Sequence, residues 1–288
     1  MKDVVYFNEW FAHNHKDVFW AAKLNLEAYG VKVRTFNGTR NVWSRDYMPV
    51  QVGDHFVKFQ YAKTPNDWDR WPQLKVAEEC WRWVPNLLES PLILDGGNCV
   101  MGYGKAIVTE KFIHDNGAGS QEALEQALGC PVILIPVEPG DELGHSDGIC
   151  RFVNHNTLIV NDYSCVFDKD DRFRKYQRDL EKTLEKANFN TFRFTYAFDS
   201  WDWDMPEAAF RQIWPDADAY SPGWGYFCNW LQTENVILLP AFGLPKDARA
   251  RQIVDNLFPN HAVVMIDCRY LSMMGGLCNC VSWSFREP

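Results

Sequence analysis

No apolar run in these 288 residues approaches the roughly 20 needed to span a bilayer. Membrane insertion is therefore not expected. The opening stretch, Met1 to Glu9, carries Asp3 inside its only apolar segment and does not read as a secretion signal. The chain also lacks a Pro/Gly/Ser-rich linker, so the sequence predicts one domain over residues 1–288 built on one large core. Cysteines are present but follow no regular spacing: there are nine, an odd number, scattered over the chain. That pattern argues against a disulfide framework and for a reducing compartment, which points to the cytoplasm. Basic residues are outnumbered, with 29 Lys and Arg against 38 Asp and Glu and a net charge of -9. Nucleic acid and anionic membranes are poor partners for such a surface, whereas a small cation would be attracted. The paired glycines Gly96-Gly97 and Gly275-Gly276 are not followed by Lys-Ser/Thr, so neither is a phosphate loop.

What remains is an ordinary globular composition, 47% apolar and 23% charged, enriched in tryptophan at 13 residues. Most of the indoles, including those in Trp68-Asp69-Arg70-Trp71 and Trp201-Asp202-Trp203-Asp204, are expected to serve packing. Short β-like runs alternate with amphipathic helices. Strands are predicted at residues 31–36, 56–61, 92–94, 106–109, 132–137, 157–160, 236–239 and 262–266. Helices are predicted at 17–29, 121–128 with Ser120 as cap and Gly129 as stop, 171–187, 206–213 and 246–258. His13 and His15 fall in a loop-like stretch and are expected at the surface. The fold class is α/β.

A weak repeat overlies this alternation: a polar head, a strand, a polar turn and a second strand. Copies run over 46–61, 95–110, 147–162 and 229–242. The run Cys280 to Trp283, paired with Val4 to Phe7, would make a fifth. Such repeats suggest a five-bladed ring whose heads, Asp46, Asp95, Asp147, Asn229 and Cys280, converge on one pocket. A thiol reacts as thiolate, and His145 is the candidate base beside it. Several carboxylates around one pocket repel one another unless a cation sits among them, and a planar guanidinium can satisfy two at once. Zinc is a weaker reading of Cys278, Cys280, His145 and Asp147, because Cys-x-Cys on one strand sends both sulfurs the same way and no second pair exists.

Four ordered motifs give the pocket a family. Trp43-x-Arg45-Asp46-x-x-Pro49, Asp95-Gly96-Gly97-Asn98, Gly144-His145-x-Asp147 followed by Arg151-Phe152, and Gly275-Gly276-x-x-x-Cys280 resemble the agmatine deiminase and bacterial peptidylarginine deiminase family over nearly the whole chain. The resemblance implies a five-bladed α/β propeller (pentein) and chemistry without metal or cofactor. It also implies that Cys280 attacks the guanidinium carbon, Asp46 and Asp147 hold its nitrogens, and His145 protonates departing ammonia and then activates water. Trp43 would line the channel, with Asp95, Asp141 and Asn229 as further substrate contacts. The implied partner is a small guanidino substrate or an arginine-containing peptide, and homo-oligomerisation is left open. This chain departs from the agmatine enzymes at Met274, at Asp95 where they have glutamate, and at Asn279 where they have histidine. Amidino transfer on the same scaffold and non-catalytic binding of an arginine peptide are the competing readings.

Overall fold

Polar turns punctuate the chain, and each closes an antiparallel hairpin that is then extended by a parallel strand. The computed structural model describes residues 2–62, 74–141, 143–168, 170–196 and 223–287. The expected helix at 206–213 and the tryptophans of 68–71 and 201–204 lie outside these residues. Among the described residues, fifteen strands form five three-stranded sheets. The first four hairpins are β3 (Val50–Val52) with β4 (His55–Gln60), β6 (Val100–Gly102) with β7 (Lys105–Thr109), β9 (Cys150–Asn154) with β10 (Thr157–Asn161), and β12 (Leu231–Gln232) with β13 (Val236–Ala241). Their parallel third strands are β5 (Leu87–Ile93), β8 (Val132–Ile135), β11 (Asn190–Phe194) and β14 (Ala262–Asp267).

The fifth sheet joins the two ends of the chain. β1 (Lys2–Asn8) pairs antiparallel with β15 (Ser282–Glu287) and parallel with β2 (Lys32–Phe36). The register sets Phe7 against Ser282, two residues beyond Cys280. The expected Cys280–Trp283 strand thus begins later, at Ser282, and Cys280 sits in the turn before it.

A parallel pair needs a long crossover, and helices supply most of them. The Lys16–Ala28, Ser120–Leu128, Asp171–Lys186 and Pro245–Leu257 helices each fall between the second and third strand of a sheet. In the Asp171–Lys186 helix, Phe173, Tyr176, Gln177, Leu180 and Leu184 are buried, a spacing that brings one face onto Ile159's neighbours Leu158 and Val160 in β10. The core is accordingly several clusters, the largest joining β1, β13 and β14 to the Lys16–Ala28 and Pro245–Leu257 helices.

Some local expectations need correction. Ser120 is the first residue of its helix; Gly119 takes the cap position, and no side-chain cap bond forms there. His13 belongs to a short helix, Glu9–Asn14, capped by Asn8, whose side chain accepts from Trp10 and Phe11 N–H groups. β5 starts five residues earlier than the predicted strand and tolerates Pro91 because it is an edge strand, paired only with β4. The apolar pattern did not mark β11, whose burial alternates poorly.

The closure of the fifth sheet is reinforced by a buried hydrogen bond from Trp283 Nε1 to Pro49 O at 2.7 Å. Trp283→Phe keeps an aromatic ring but removes the buried pyrrole ring with its N–H and strands the carbonyl, so we expect a loss of at least about 1–3 kcal/mol of unfolding free energy, with the cavity adding to it. Urea titration of both proteins checks this; equal midpoints and slopes would show that the bond contributes nothing.

Candidate active site

The loops that precede the sheets carry the polar heads, and four close approaches bring them together. Asp46 lies in the short Ser44–Tyr47 helix ahead of β3, and Asp95 caps the single turn Gly96–Asn98 ahead of β6. His145 and Asp147 occupy the turn ahead of β9, and Asn229 precedes β12. Backbone bonds knit these segments: Asp147 N donates to Gly97 O at 3.0 Å, Arg45 N to Cys280 O at 3.0 Å, and Asn279 N to Asn229 O at 3.3 Å. Asn98 Oδ1 accepts Thr109 N at 2.8 Å and so fixes its motif to the end of β7.

Glycine is required where these segments touch. A Cβ on Gly97 would stand 2.6 Å from Asp46 Oδ1 and 2.6 Å from His145 Nδ1. Its absence lets the carboxylate and the imidazole meet. A Cβ on Gly276 would fall 2.4 Å from the six-membered ring of Trp43.

His145 lies between two carboxylates. Its Nε2 is 3.2 Å from Asp95 Oδ2, its Nδ1 is 3.7 Å from Asp46 Oδ1, and its backbone N–H donates to Asp141 Oδ2 at 3.3 Å. Burial pulls the imidazole pKa down, but Asp46, Asp95 and Asp147 outweigh it and hold the ring protonated above its usual range. Burial pushes Asp46 up, opposed by His145 and reinforced by Asp95 and Asp147. The pair shares its charge, and the proton rests on the imidazole.

Cys280 is 8% exposed. Its thiol donates to Asn229 Oδ1 at 3.3 Å and lies 3.9 Å from Asp147 Oδ2. Burial raises the thiol well above its ordinary pKa, Asp147 and Asp46 push it further, and the Leu277 backbone and Asn229 work against them. These neighbours favour the neutral thiol. Asn279 donates from Nδ2 to Asp147 Oδ2 at 2.7 Å, so the residue that departs from the agmatine enzymes holds the carboxylate beside Cys280.

A cavity of about 630 Å³ opens over this group. His145, Asp147, Asn229 and Cys280 line it, with Asp141 and Glu138 further along. Asp46, Asp95 and Trp43 are not among its lining residues. Trp43 packs on Gly276 instead of the channel wall, and the two aspartates grip His145 from behind. The Cys-x-Cys pair also separates: Cys278 Sγ meets Cys268 Sγ at 3.4 Å, away from the Asn229 contact of Cys280. None of the nine cysteines is in a disulfide. Among the described residues, no group of three or more His, Cys, Asp or Glu side chains is arranged to hold a metal ion, and no helix is long and apolar enough to cross a membrane.

Sequence reasoning missed two residues here. Asn279 was legible only as a departure, and Glu138 only as an acid ending the apolar run 132–137 ahead of Pro139-Gly140.

Comparison with known proteins follows the same site. An agmatine deiminase of Pseudomonas syringae pv. syringae (strain B728a) is 40% identical over 226 residues, 71% of this chain and 60% of that relative. One from Pseudomonas aeruginosa (strain LESB58) is 40% identical over 64 residues, 22% of this chain and 17% of the relative. These matches span less than two thirds of the relatives' own length. The solved structure of a C. jejuni agmatine deiminase with substrate bound shares the fold, with a TM-score of 0.69 at 14% identity over 98% of this chain and 92% of that one. The sequence pattern of the Porphyromonas-type peptidyl-arginine deiminases matches residues 11–285, and the chain belongs to that family.

Proposed function

We propose that this chain is a guanidino hydrolase, converting a guanidinium group to a ureido group with release of ammonia. The observation that carries the reading is the convergence of Cys280, His145 and Asp147 on one cavity wall. We also infer that the five sheets stand as blades around that cavity; their common strand order and the resemblance to a solved agmatine deiminase support the arrangement. Residues 1–288 then act as one catalytic unit, and nine cysteines outside disulfides suit a reducing cytoplasm.

The resting electrostatics favour a cationic substrate. A guanidinium seated against Asp147 offsets the carboxylates that keep the Cys280 thiol protonated, so the substrate helps ionise its own nucleophile, and the thiol proton leaves to solvent. Cys280 Sγ then bonds to the guanidinium carbon, and the resulting tetrahedral adduct expels one nitrogen as ammonia after taking a proton from His145. The covalent thiouronium that remains is attacked by water. His145, now neutral, removes one water proton, and collapse breaks the C–S bond as the departing thiolate takes the remaining hydroxyl proton, giving the neutral ureido product and the resting thiol. Splitting the hydrolysis in two avoids direct attack of water on a poor electrophile. Asp46 and Asp95 act through His145 in this scheme, keeping the ring oriented and able to carry charge. Asp147 and Asn229 position the cation and the thiol.

Agmatine is the first substrate to test, because the relatives above carry its name; free arginine and arginine peptides complete the panel.

Cys280→Ala should abolish ammonia and ureido product while leaving a guanidino ligand bound, as followed by ammonia release and calorimetry. Persistent wild-type turnover would sink the mechanism. Ammonia formed without any added amine separates hydrolysis from amidino transfer. Asp147→Asn should lower kcat/KM by about 100-fold or more, the scale of losing a charge-assisted contact to the reacting cation, and a wild-type value would remove Asp147 from the clamp. Because the folded thiol titrates above its usual range, alkylation of ligand-free Cys280 by iodoacetamide should keep accelerating from about pH 7 to about pH 9.5. A plateau below about pH 8 would mean that the thiol is already ionised.

A further inference from the structure

Glu138 is a buried carboxyl group that the scheme above leaves idle. It follows β8 at the turn Val137-Glu138-Pro139-Gly140, is 4% exposed, and shares the cavity wall with Asp141. Tyr226 Oη donates to its Oε1 at 2.5 Å, and Tyr163 Oη donates to its Oε2 at 2.5 Å. Tyr163 follows β10 and Tyr226 precedes β12, so one carboxyl joins loops that belong to three sheets.

Both tyrosines lead back to the nucleophile. Tyr163 Oη accepts from Asn161 Nδ2 at 3.2 Å, and the same amide donates to Gly148 O at 2.8 Å. Gly148 ends the turn that carries His145 and Asp147, and a Cβ there would stand 3.1 Å from the Tyr226 ring. On the other arm, Tyr226 O accepts Asn229 N at 3.0 Å, and Asn229 Oδ1 accepts both the Cys280 thiol and Asn279 N. Burial pushes the Glu138 carboxyl up to about 8, with the Tyr163 and Tyr226 hydroxyls drawing it back, Asp141 raising it and Tyr196 lowering it. A group placed this expensively in the cavity wall does more than fill space.

We propose that Glu138 is a positioning residue: by clamping Tyr163 and Tyr226 it sets the spacing between the His145–Gly148 turn and the Asn229 turn, and so where Asp147 and Asn229 meet the Cys280 thiol. The proposal rests on Cys280 being the nucleophile. It differs from a substrate contact, because Glu138 acts through two tyrosines, and from a purely structural bond, because its effect is read at the thiol.

Glu138→Gln and Tyr226→Phe in the full chain test it through melting temperature, kcat and KM for a guanidino substrate, and the rate of Cys280 alkylation by iodoacetamide located by peptide mass. Glu138→Gln should melt cooperatively, keep KM within about threefold, and lose about 10- to 100-fold in kcat, the scale of an ångström-sized misplacement. Its Cys280 alkylation rate should change by more than about threefold, since the thiol's neighbours move. Tyr226→Phe should behave alike, and the double variant should add little to either, as expected for members of one chain of contacts. Unchanged kcat and alkylation with a lowered melting temperature would reduce Glu138 to a structural bond and overturn the proposal. A change confined to KM would make it a substrate contact and overturn it equally. If Glu138→Gln does not fold, Tyr226→Phe decides by the same criteria. Should the wild type turn over no guanidino compound, the functional reading fails, while the alkylation arm still tests Glu138.

Discussion

Three carboxylates and a thiol share one buried region because cations stand among them, the His145 imidazolium and the buried Arg45 guanidinium. Each unscreened like-charge pair at about 4 Å costs roughly 4 kcal/mol at an effective dielectric near 20, which a marginally stable fold does not absorb several times over. His145 answers that constraint by facing Asp95 with one ring nitrogen and Asp46 with the other. The geometry of the site follows from this arrangement. Gly97 must lack a side chain for the ring and Asp46 to meet, and the Gly97 carbonyl fixes Asp147 at the far side of the same turn.

The same electrostatics bear on Cys280. Burial and two neighbouring carboxylates keep the Cys280 thiol protonated, and the Asn229 contact only partly relieves them. Under the proposed chemistry, a bound cation would both relieve the carboxylates and favour the thiolate. Asn279 contributes by holding one Asp147 oxygen, which orients that carboxylate beside Cys280.

Much of the fold was legible because local patterns and global arrangement agree. Polar turns at 53–54, 102–104 and 154–156 close real hairpins, and of the heads placed before them Asp147 lines the cavity while Asp46 and Asp95 meet at His145. The amphipathic 171–186 helix was readable from Phe173, Tyr176, Leu180 and Leu184 alone. Other elements were hidden for identifiable reasons. β11 is an edge strand with little apolar alternation, and β5 contains a proline. The short Lys111–Asn116 and Arg269–Met273 helices are too brief for periodicity to register.

At the site, the residue types and their order named the chemistry: a thiol, a histidine and carboxylates on the heads of a repeated unit, in four motifs that carry the family. These are local facts, and the sequence determined them by itself. Which side each group faces is not local. Asp46 and Asp95 turn toward His145, Trp43 packs on Gly276, and Asn279 and Glu138 hold the groups that hold the thiol. Those roles depend on contacts between residues from 25 to 233 positions apart, so only the tertiary structure, with β1 paired to β15, could decide them.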